Sequence, residues 1–273
     1  MAAVLLTGAN GYLGSAVAAE LTRQRIAWSP LAGRLQDIPA ASLAPDCVIH
    51  CAGALRHQAE RLQHDNVLGT ARLLAGLRTP ARIVFASSRS VYGAPAGALC
   101  AESDEPAPRD DYGRSKYAAE QLLRDSGLPT LCSRLSTLFG AAPRGDCPAL
   151  PNLALRRWQR GEPVQLVAGD FEVDYLAVGD AARLLVALAQ QPQWPADVLN
   201  LPGPQRGLHA LMQQLAGAAR QQDLPAALHH DHPGAGVWPR LDGARLRAWL
   251  PDFRFSSDAD VAAAFLAQPV VRD

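Results

Sequence analysis

The chain has 273 residues, enough for one large α/β domain or for a domain with a smaller lobe, and 48% of them are hydrophobic, which supports a substantial core. The 26 Lys and Arg residues balance 26 Asp and Glu residues, so the charge gives no indication of a nucleic-acid or anionic-membrane partner. The sequence shows no signal-peptide pattern and no long apolar span, and we expect a soluble, cytoplasmic protein.

The first half of the sequence alternates short apolar runs with segments of helical periodicity. The run 4–6 ends in a glycine-rich turn and predicts a strand, and apolar residues at helical spacing predict a helix directly after it. The connection between the second predicted strand and Cys47 is short, so we expect a strand in that interval to be reduced or missing. The predicted strands are 4–6, 26–31, 47–52, 82–86 and 130–138, and the predicted helices are 12–24, 66–77 and 112–124.

From about Ala141 onward prolines interrupt this pattern, although 180–190 still predicts a helix and 198–201 a strand. Alternating strands and helices imply right-handed βαβ units and a parallel sheet. This change of pattern predicts that the chain folds as two parts. Residues 1–140 and 171–201 are expected to form the sheet domain, and residues 141–170 and 202–273 a smaller lobe.

Three glycines follow the first predicted strand. Gly8, Gly11 and Gly14 have the spacing GxxGxxG. Glycine permits a tight turn, close approach of the backbone to a pyrophosphate, and tight packing of helix on strand. The next helix directs its N-terminal amides and the positive end of its dipole at the phosphates. We therefore predict a dinucleotide site, and the alternative is a glycine turn in an ordinary βα unit.

The end of the second predicted strand bears on which dinucleotide binds. NAD sites usually place an acid there, on the ribose hydroxyls. In this chain that place falls near Ala32 or Gly33, and Arg34 follows. Because a guanidinium can pair with a 2′-phosphate through two hydrogen bonds, we favour NADP(H), with NAD(H) as the alternative. Arg34 could instead be a solvated loop residue, and the pair Asp37-Ile38 could border the adenine.

A tyrosine and a lysine lie one helical turn apart further along the chain. Tyr112 and Lys116 are spaced i, i+4, so both project from one face of a helix. The pKa of an unperturbed tyrosine, about 10, is too high for proton transfer near neutrality. A nearby ammonium and a hydroxyl hydrogen bond lower such a pKa, and we expect Lys116 to supply the charge and to hold the nicotinamide ribose. Ser88 follows an earlier predicted strand, where its hydroxyl can donate to a substrate oxygen.

With these motifs the chain resembles the extended short-chain dehydrogenase/reductase family, of the NAD-dependent epimerase/dehydratase type. The resemblance implies an α/β fold, a Rossmann-type doubly wound parallel sheet with a small C-terminal substrate-binding lobe, usually for a nucleotide sugar. By position, Ser88, Tyr112 and Lys116 match the family's catalytic triad. A homodimer through a helix pair of the sheet domain is a further implication. The matching stretches are TGANGYLG at Thr7, VIHCAG at Val48, DNVLGT at Asp65, FASSRSVYG at Phe85, YGRSK at Tyr112, SRLSTLFG at Ser133, DYLAVGDAA at Asp174 and RLDGARLRAWLPDF at Arg240.

The turn, the strand ends and the catalytic helix together give a set of expected cofactor contacts. Within this set, Asn66 is expected to hold backbone near the site rather than to perform chemistry. The predicted cofactor-binding residues are Gly8, Asn10, Gly11, Tyr12, Leu13, Gly14, Arg34, Asp37, Ile38, Ala52, Gly53, Asn66 and Lys116.

Two departures from the family pattern bear on the reaction. The family's dehydratases carry an Asp-Glu pair after the active-site hydroxyl, whereas this chain has Arg89-Ser90, which argues against dehydration. Val173 stands where many members place an arginine that binds sugar-nucleotide phosphates, and Arg240 or Arg245 could substitute for it. Arg89 and Arg240 are the predicted substrate-binding residues, and a surface position is the alternative for Arg89.

The leading hypothesis is an NADPH-dependent ketoreductase in which Tyr112 protonates the developing alkoxide and Ser88 stabilises it, acting on a nucleotide-activated keto-deoxy sugar. One alternative is a sugar 4-epimerase that keeps NAD bound. Another is a non-catalytic dinucleotide-sensing protein on the same fold, because the fold alone does not distinguish a sensor from an enzyme. No metal site is predicted, because His229-His230-Asp231-His232 is interpreted as a solvated loop without a second ligand cluster.

Overall fold

The computed structural model describes residues 4–95, 97–145, 147–232 and 239–268, so two stretches of the predicted lobe, 233–238 and 269–273, lie outside the described residues. The strands are β1 Val4–Thr7, β2 Trp28–Pro30, β3 Cys47–His50, β4 Arg82–Ser88, β5 Leu99–Cys100, β6 Thr130–Leu135, β7 Leu138–Phe139, β8 Val164–Val167, β9 Glu172–Val173, β10 Leu176–Ala177, β11 Val198–Leu201, β12 Arg206–Gly207, β13 Leu228–His232 and β14 Arg240–Leu241. The α-helices are α1 Tyr12–Arg23, α2 Gly69–Gly76, α3 Asp111–Asp125, α4 Leu150–Gln159, α5 Val178–Gln190, α6 Leu208–Arg220, α7 Ala244–Trp249 and α8 Asp258–Leu266.

Six strands form one parallel sheet in the order β11-β6-β4-β3-β1-β2. The predicted doubly wound α/β sheet is thereby confirmed. The strand order reverses at β1, and open α/β sheets bind ligands outside the carboxyl ends of the strands at such a point. The expected gap after β2 is also confirmed, because that interval holds a 3₁₀ turn, Leu35–Asp37, and a single bridge between Leu43 and Leu77 instead of a strand.

Helices cover both faces of the sheet, which explains why its strands are nearly continuous apolar runs. On one face α1 and α5 pack through side chains such as Val17, Leu21 and Leu185. On the other face α2 and α3 contribute Leu73 and Leu123 to a separate core cluster. The two layers leave the carboxyl ends of the strands as the accessible edge.

The lobe has its own core, built from α4, α6, α8 and β8. Its largest fully buried side chain is that of Trp158, whose indole N–H donates to the Ala227 carbonyl at 3.2 Å. One segment differs from the predicted division of the chain. Leu246 of α7 and the nearby Trp249 and Phe253 pack against the sheet-domain core, because their apolar side chains lie against the sheet layer rather than against α4 and α6.

Two local predictions need correction. The segment His229-His230-Asp231-His232, interpreted as a loop, lies in β13, which pairs in parallel with β8. The polar sequence of this segment did not indicate a strand, because backbone hydrogen bonds rather than apolar side chains hold a strand pair together. Leu228 packs against the lobe core. The helix predicted over 66–77 begins earlier, as the π-helical segment Leu62–Leu68, and continues as α2.

A fully buried ion pair joins α3 to the sheet. The Arg134 guanidinium on β6 donates to both carboxylate oxygens of Glu120, at 3.1 and 2.7 Å, and the Ser87 hydroxyl donates to the same carboxylate at 2.5 Å. The side chains of Arg134 and Glu120 are 2% and 0% exposed. Because each charge depends on the other for compensation, removal of one partner leaves a buried charge without its counter-ion.

We expect Glu120→Gln to lower the free energy of unfolding by roughly 3 kcal/mol, because the Arg134 charge stays buried. The double variant Glu120→Leu/Arg134→Met, which removes both charges, should lose less. Urea unfolding followed by circular dichroism measures both. The matched control is Glu162→Gln, which breaks the exposed pair with Arg157 and should cost at most about 0.5 kcal/mol. Equal losses in Glu120→Gln and Glu162→Gln would contradict a structural role for the buried pair.

Candidate active site

The turn between β1 and α1 has the shape that a dinucleotide pyrophosphate requires. Gly8 has a φ of +72°, and the Gly11 amide donates to the Gly8 carbonyl at 2.9 Å. A Cβ on Gly14 would lie 1.9 Å from the Gly8 oxygen, so only glycine permits this contact between helix and turn. The helix begins at Tyr12 with Gly11 as its N-cap and without a capping side chain, which leaves its first amides directed at the crevice. The predicted glycine residues therefore fit the phosphates of a dinucleotide.

A loop of the lobe docks on this turn. The Tyr12 hydroxyl donates to the Gly140 carbonyl at 2.7 Å, and an Arg144 guanidinium N–H donates to Asn10 Oδ1 at 2.9 Å. The Arg144 amide also donates to Ser15 Oγ at 3.1 Å. Leu13 packs against the sheet-domain core. Asn10 and Tyr12, predicted as cofactor residues, therefore lie at the turn and also connect it to the lobe.

The residues after β2 divide into exposed and buried groups. Arg34 is exposed, and its guanidinium makes no hydrogen bond or ion pair with the described residues. Asp37 is exposed at the end of the 3₁₀ turn. Ile38, predicted to border the adenine, lies instead in the core: it is 7% exposed and packs against Gly76, where a Cβ would approach it to 2.4 Å. The side chain of Ile38 therefore contributes to the core beneath α2, and its contact with the adenine stays a prediction.

Asn66 holds the loop that follows β3. Its Oδ1 accepts from the Ala54 amide at 2.7 Å, and its Nδ2 donates to the Ser115 hydroxyl at 2.8 Å. A Cβ on Gly53 would lie 2.5 Å from Asn66 Oδ1, so the loop approaches Asn66 as closely as glycine permits. This geometry matches the expected backbone-holding role of Asn66. The π-helical turn that carries Asn66 is of a kind often found at functional sites.

The three predicted catalytic side chains meet at the carboxyl end of β4. Ser88 is the last residue of β4, and its side chain lies within reach of the Tyr112 hydroxyl, where a hydrogen bond between the two would lower the pKa of Tyr112. Asp110 caps α3 by accepting from the Gly113 amide at 2.7 Å, which places Tyr112 in the first turn of the helix. Lys116 follows one turn later and faces the same strand. The sheet and the capped helix thus bring together residues separated by up to 28 positions (88 to 116).

Lys116 is the only lysine of the 273 residues, and its side chain is buried. Its ammonium donates to the Ala86 carbonyl at 2.9 Å and lies 4.8 Å from the centre of the Phe85 ring. Burial lowers the pKa of Lys116 to about 8, and the groups of Cys51 and Glu120 act in the opposite direction.

The pKa of Tyr112 is raised, whereas the sequence predicted that it would be lowered. Burial raises it above its ordinary value, and the hydrogen bond with Ser88 and the charge of Arg56 offset only part of this rise. The Lys116 ammonium, which was expected to lower this pKa, donates to the Ala86 carbonyl and is not one of the main causes of the shift. In this structure the tyrosine hydroxyl is protonated at neutral pH, which suits a proton donor.

Two charged residues at the catalytic tyrosine were missed by the sequence reasoning. The Arg56 guanidinium lies 5.5 Å from the centre of the Tyr112 ring, forms an ion pair with Asp110, and donates to Ser90 Oγ at 3.0 Å. Arg56 thereby connects the loop after β3 to the start of the catalytic helix. The charge of Asp110 acts on the pKa of Tyr112 in the opposite direction to that of Arg56. None of these residues belongs to a motif, and only the fold brings them to the site.

The two predicted substrate residues lie between the sheet and the lobe. The Arg89 guanidinium donates to Asp174 at 2.9 Å, to Thr137 Oγ1 at 2.7 Å and to the Pro239 carbonyl at 3.0 Å. Three internal acceptors thus hold the Arg89 guanidinium, and its contact with substrate stays a prediction. Arg240 pairs with Glu172, and its charge acts on the Asp174 carboxyl, so it remains a predicted substrate contact.

The described residues contain neither a metal-binding cluster nor a membrane-spanning helix. In residues 4–95, 97–145, 147–232 and 239–268, no group of three or more His, Cys, Asp and Glu side chains has a geometry that could hold a metal ion. Over the same ranges, none of the helices combines the length and apolarity that a membrane-spanning helix needs.

Comparison with known proteins gives consistent relatives. The family model described as the NAD dependent epimerase/dehydratase family matches residues 4–201. A UDP-glucose 4-epimerase from Azospirillum brasilense is 31% identical, over an alignment that covers 91% of this chain and 87% of the epimerase. A GDP-6-deoxy-D-mannose reductase from Pseudomonas aeruginosa is 29% identical, with 80% of each chain covered. The solved structure of RMD from Pseudomonas aeruginosa, complexed with NADPH, is similar in fold, with a TM-score of 0.81 at 24% identity over 98% of this chain and 97% of that one.

The single lysine makes the pKa of Lys116 directly measurable. In protein labelled with ¹³C at lysine Cε, one lysine signal should appear, and its chemical shift should titrate with a midpoint of about 8. A midpoint near the ordinary value of about 10.4 would show that the ammonium is solvated and would contradict the described burial. The matched control is the urea-unfolded protein, in which the same signal should titrate near about 10.4.

Proposed function

This chain belongs to the NAD-dependent epimerase/dehydratase family, and we propose that it is an NADP(H)-dependent ketoreductase that acts on a nucleotide-activated deoxy sugar. The observation that carries the cofactor preference is the exposed Arg34, which follows β2 and lies next to Ala32 and Gly33, near which an NAD site would have an acid. Its guanidinium is available for a 2′-phosphate, which only NADP(H) carries.

The residues present fit a nicotinamide dinucleotide. The amides at the start of α1 and the turn at Gly8 and Gly11 would hold the pyrophosphate, and Arg34 the 2′-phosphate. Lys116 lies beside Gly53, at the carboxyl ends of β3 and β4, where a nicotinamide ribose can be held. The bound cofactor supplies a hydride to the carbonyl carbon of the substrate.

Three side chains provide the proton transfer that accompanies the hydride. Tyr112 donates its hydroxyl proton to the carbonyl oxygen as the C–O double bond becomes a single bond, which leaves a tyrosine phenolate. The Ser88 hydroxyl donates a hydrogen bond to the same oxygen and stabilises its developing charge. Arg56 lies over the tyrosine ring, where its charge stabilises the phenolate until solvent returns the proton. Tyr112 begins the reaction protonated, and the hydrogen bond with Ser88 and the charge of Arg56 offset part of the rise in its pKa that burial causes.

The substrate class rests on the relatives. The name of the Pseudomonas aeruginosa relative states a reductase of a nucleotide-linked deoxy sugar. The absence of the acid pair after Ser88 argues against a dehydratase, since Arg89 and Ser90 stand in those places. A homodimer, which the family resemblance implies, stays part of the proposal and is measured by sedimentation equilibrium.

A nucleotide-sugar 4-epimerase is the second candidate, and one observation favours it. The relative with 31% identity over 91% of this chain is a UDP-glucose 4-epimerase. An epimerase returns the hydride to the sugar, so it consumes no cofactor and keeps NAD bound. Extraction of the purified protein distinguishes the two: copurified NAD favours the epimerase, and a cofactor-free protein that oxidises NADPH with 4-keto-6-deoxy sugar nucleotides favours the reductase.

Tyr112→Phe should lower kcat by about 10²- to 10⁴-fold, because it removes the proton donor and keeps the ring. The NADPH dissociation constant, from fluorescence titration, should stay within about twofold of the wild-type value, since the tyrosine hydroxyl contributes little to ground-state binding. Tyr117→Phe, on the same helix, is the matched control and should retain wild-type turnover. Unchanged turnover in Tyr112→Phe would contradict the proposed role of Tyr112 as proton donor.

Arg34→Ala should weaken NADPH binding by roughly 10- to 100-fold and leave NADH binding nearly unchanged, because only NADPH carries the 2′-phosphate. The matched control is Arg160→Ala, which removes another exposed arginine, at the end of α4. Fluorescence titration with both cofactors measures the effect. An equal loss for NADPH and NADH would place Arg34 outside the 2′-phosphate site, and no loss for either would contradict the cofactor preference.

A further inference from the structure

A buried histidine lies between the glycine-rich turn and the π-helical segment. His50 ends β3, is 0% exposed, and stacks at 5.2 Å from the Phe85 ring. Its Nδ1 is 2.7 Å from Thr7 Oγ1, and its Nε2 is 3.1 Å from Thr70 Oγ1. Neither threonine nor this histidine belongs to the catalytic set proposed above. A buried polar group with two such short contacts has a defined hydrogen-bonding role.

The neighbouring hydrogen bonds fix where the imidazole proton lies. The Thr70 hydroxyl donates its only proton to the Asn66 carbonyl at 2.6 Å, so it accepts from His50 Nε2. Burial lowers the pKa of His50 to about 3, with the charge of Lys116 acting in the same direction, so the ring is neutral. A neutral ring with a proton on Nε2 has a bare Nδ1, which accepts from the Thr7 hydroxyl.

This chain of hydrogen bonds connects the two halves of the site. Thr7 ends β1 directly before Gly8, and its Oγ1 accepts from the Ala52 amide at 3.1 Å. At the other end, Asn66 donates to Ser115, whose hydroxyl donates to the Tyr112 carbonyl at 2.8 Å. Hydrogen bonds therefore connect the cofactor turn through His50 and Thr70 to the Asn66 backbone, and the Asn66 side chain continues the connection to the helix that carries Tyr112.

We propose that His50, held as the Nε2–H tautomer between Thr7 and Thr70, is a positioning residue that keeps the dinucleotide turn and the catalytic helix in register. Its kinetic consequence rests on the proposed function, whereas its proton position and its effect on Lys116 do not. Thr7, Thr70 and Phe85 contact the ring, and the charge of the Lys116 ammonium acts on it.

The variant Thr70→Val tests the link, since it keeps the side-chain shape and removes the hydroxyl on which His50 and Asn66 converge. We expect kcat to fall by about tenfold or more, with the NADPH dissociation constant within about threefold of wild type. Thr70→Ser, which keeps the hydroxyl, should return kcat to within about threefold of wild type. Thr130→Val is the matched control, because Thr130 is also buried and donates to a backbone carbonyl, that of Leu128, away from the site.

Two measurements do not require turnover. In ¹⁵N-histidine spectra, the signal that is lost in His50→Asn should show a protonated Nε2 and a bare Nδ1, unchanged between pH 5.5 and 8, near the ordinary histidine pKa of about 6.5. The Lys116 titration midpoint should rise above about 8 in Thr70→Val, because a displaced helix admits water to the ammonium.

The results separate this proposal from the proposed function. If the wild-type protein reduces no sugar nucleotide, the proposed function fails, and the histidine and lysine spectra still decide the role of His50. A proton on Nδ1, a His50 signal that titrates in this pH range, or an unchanged Lys116 midpoint in Thr70→Val overturns the positioning role. Wild-type kcat in Thr70→Val, or an equal loss in Thr70→Ser, overturns it as well.

Discussion

The burial of one ammonium group organises the catalytic half of the molecule. Lys116 cannot reach water, so its charge is stable only where the Ala86 carbonyl and the face of Phe85 compensate it. That requirement fixes the distance and rotation of α3 against β4. Tyr112, one turn earlier, must then lie at the end of the strand, beside Ser88. Glu120, one turn later, completes the same buried face by pairing with Arg134.

A second buried charge joins the sheet domain to the lobe. The Asp174 carboxylate accepts from Arg89 through one oxygen and from the Leu241 amide, at 2.9 Å, through the other. The Asp174 carbonyl accepts from the Ser136 hydroxyl at 2.6 Å. Arg89 stands where dehydratases of the family carry an acid. In this chain the arginine at that place pairs with Asp174, and the Leu241 amide donates to the same carboxylate, which holds residue 241 near the end of β4.

The sequence predicted those parts of the site that depend on local spacing. The glycine turn, the i, i+4 pair on α3 and the serine at the end of β4 each follow from periodicity within one element, and the parallel sheet follows from the alternation of elements. Arg56 and the internal partners of Arg89 were not foreseen, because the residues that they pair with lie 54 and 85 positions away. The burial of Ile38 was not foreseen either, since an apolar residue in a short connection does not show whether a helix covers it.

The charges around Tyr112 bear on the direction of its proton transfer. A proton donor must be neutral before the reaction and must tolerate a negative charge afterwards. Burial favours the neutral hydroxyl, whereas the hydrogen bond with Ser88 and the charge of Arg56 favour the phenolate. Asp110, paired with Arg56, limits how much of that positive charge reaches the tyrosine. The resting site is thus biased toward the protonated form, and the groups that would stabilise a phenolate already lie close to the tyrosine.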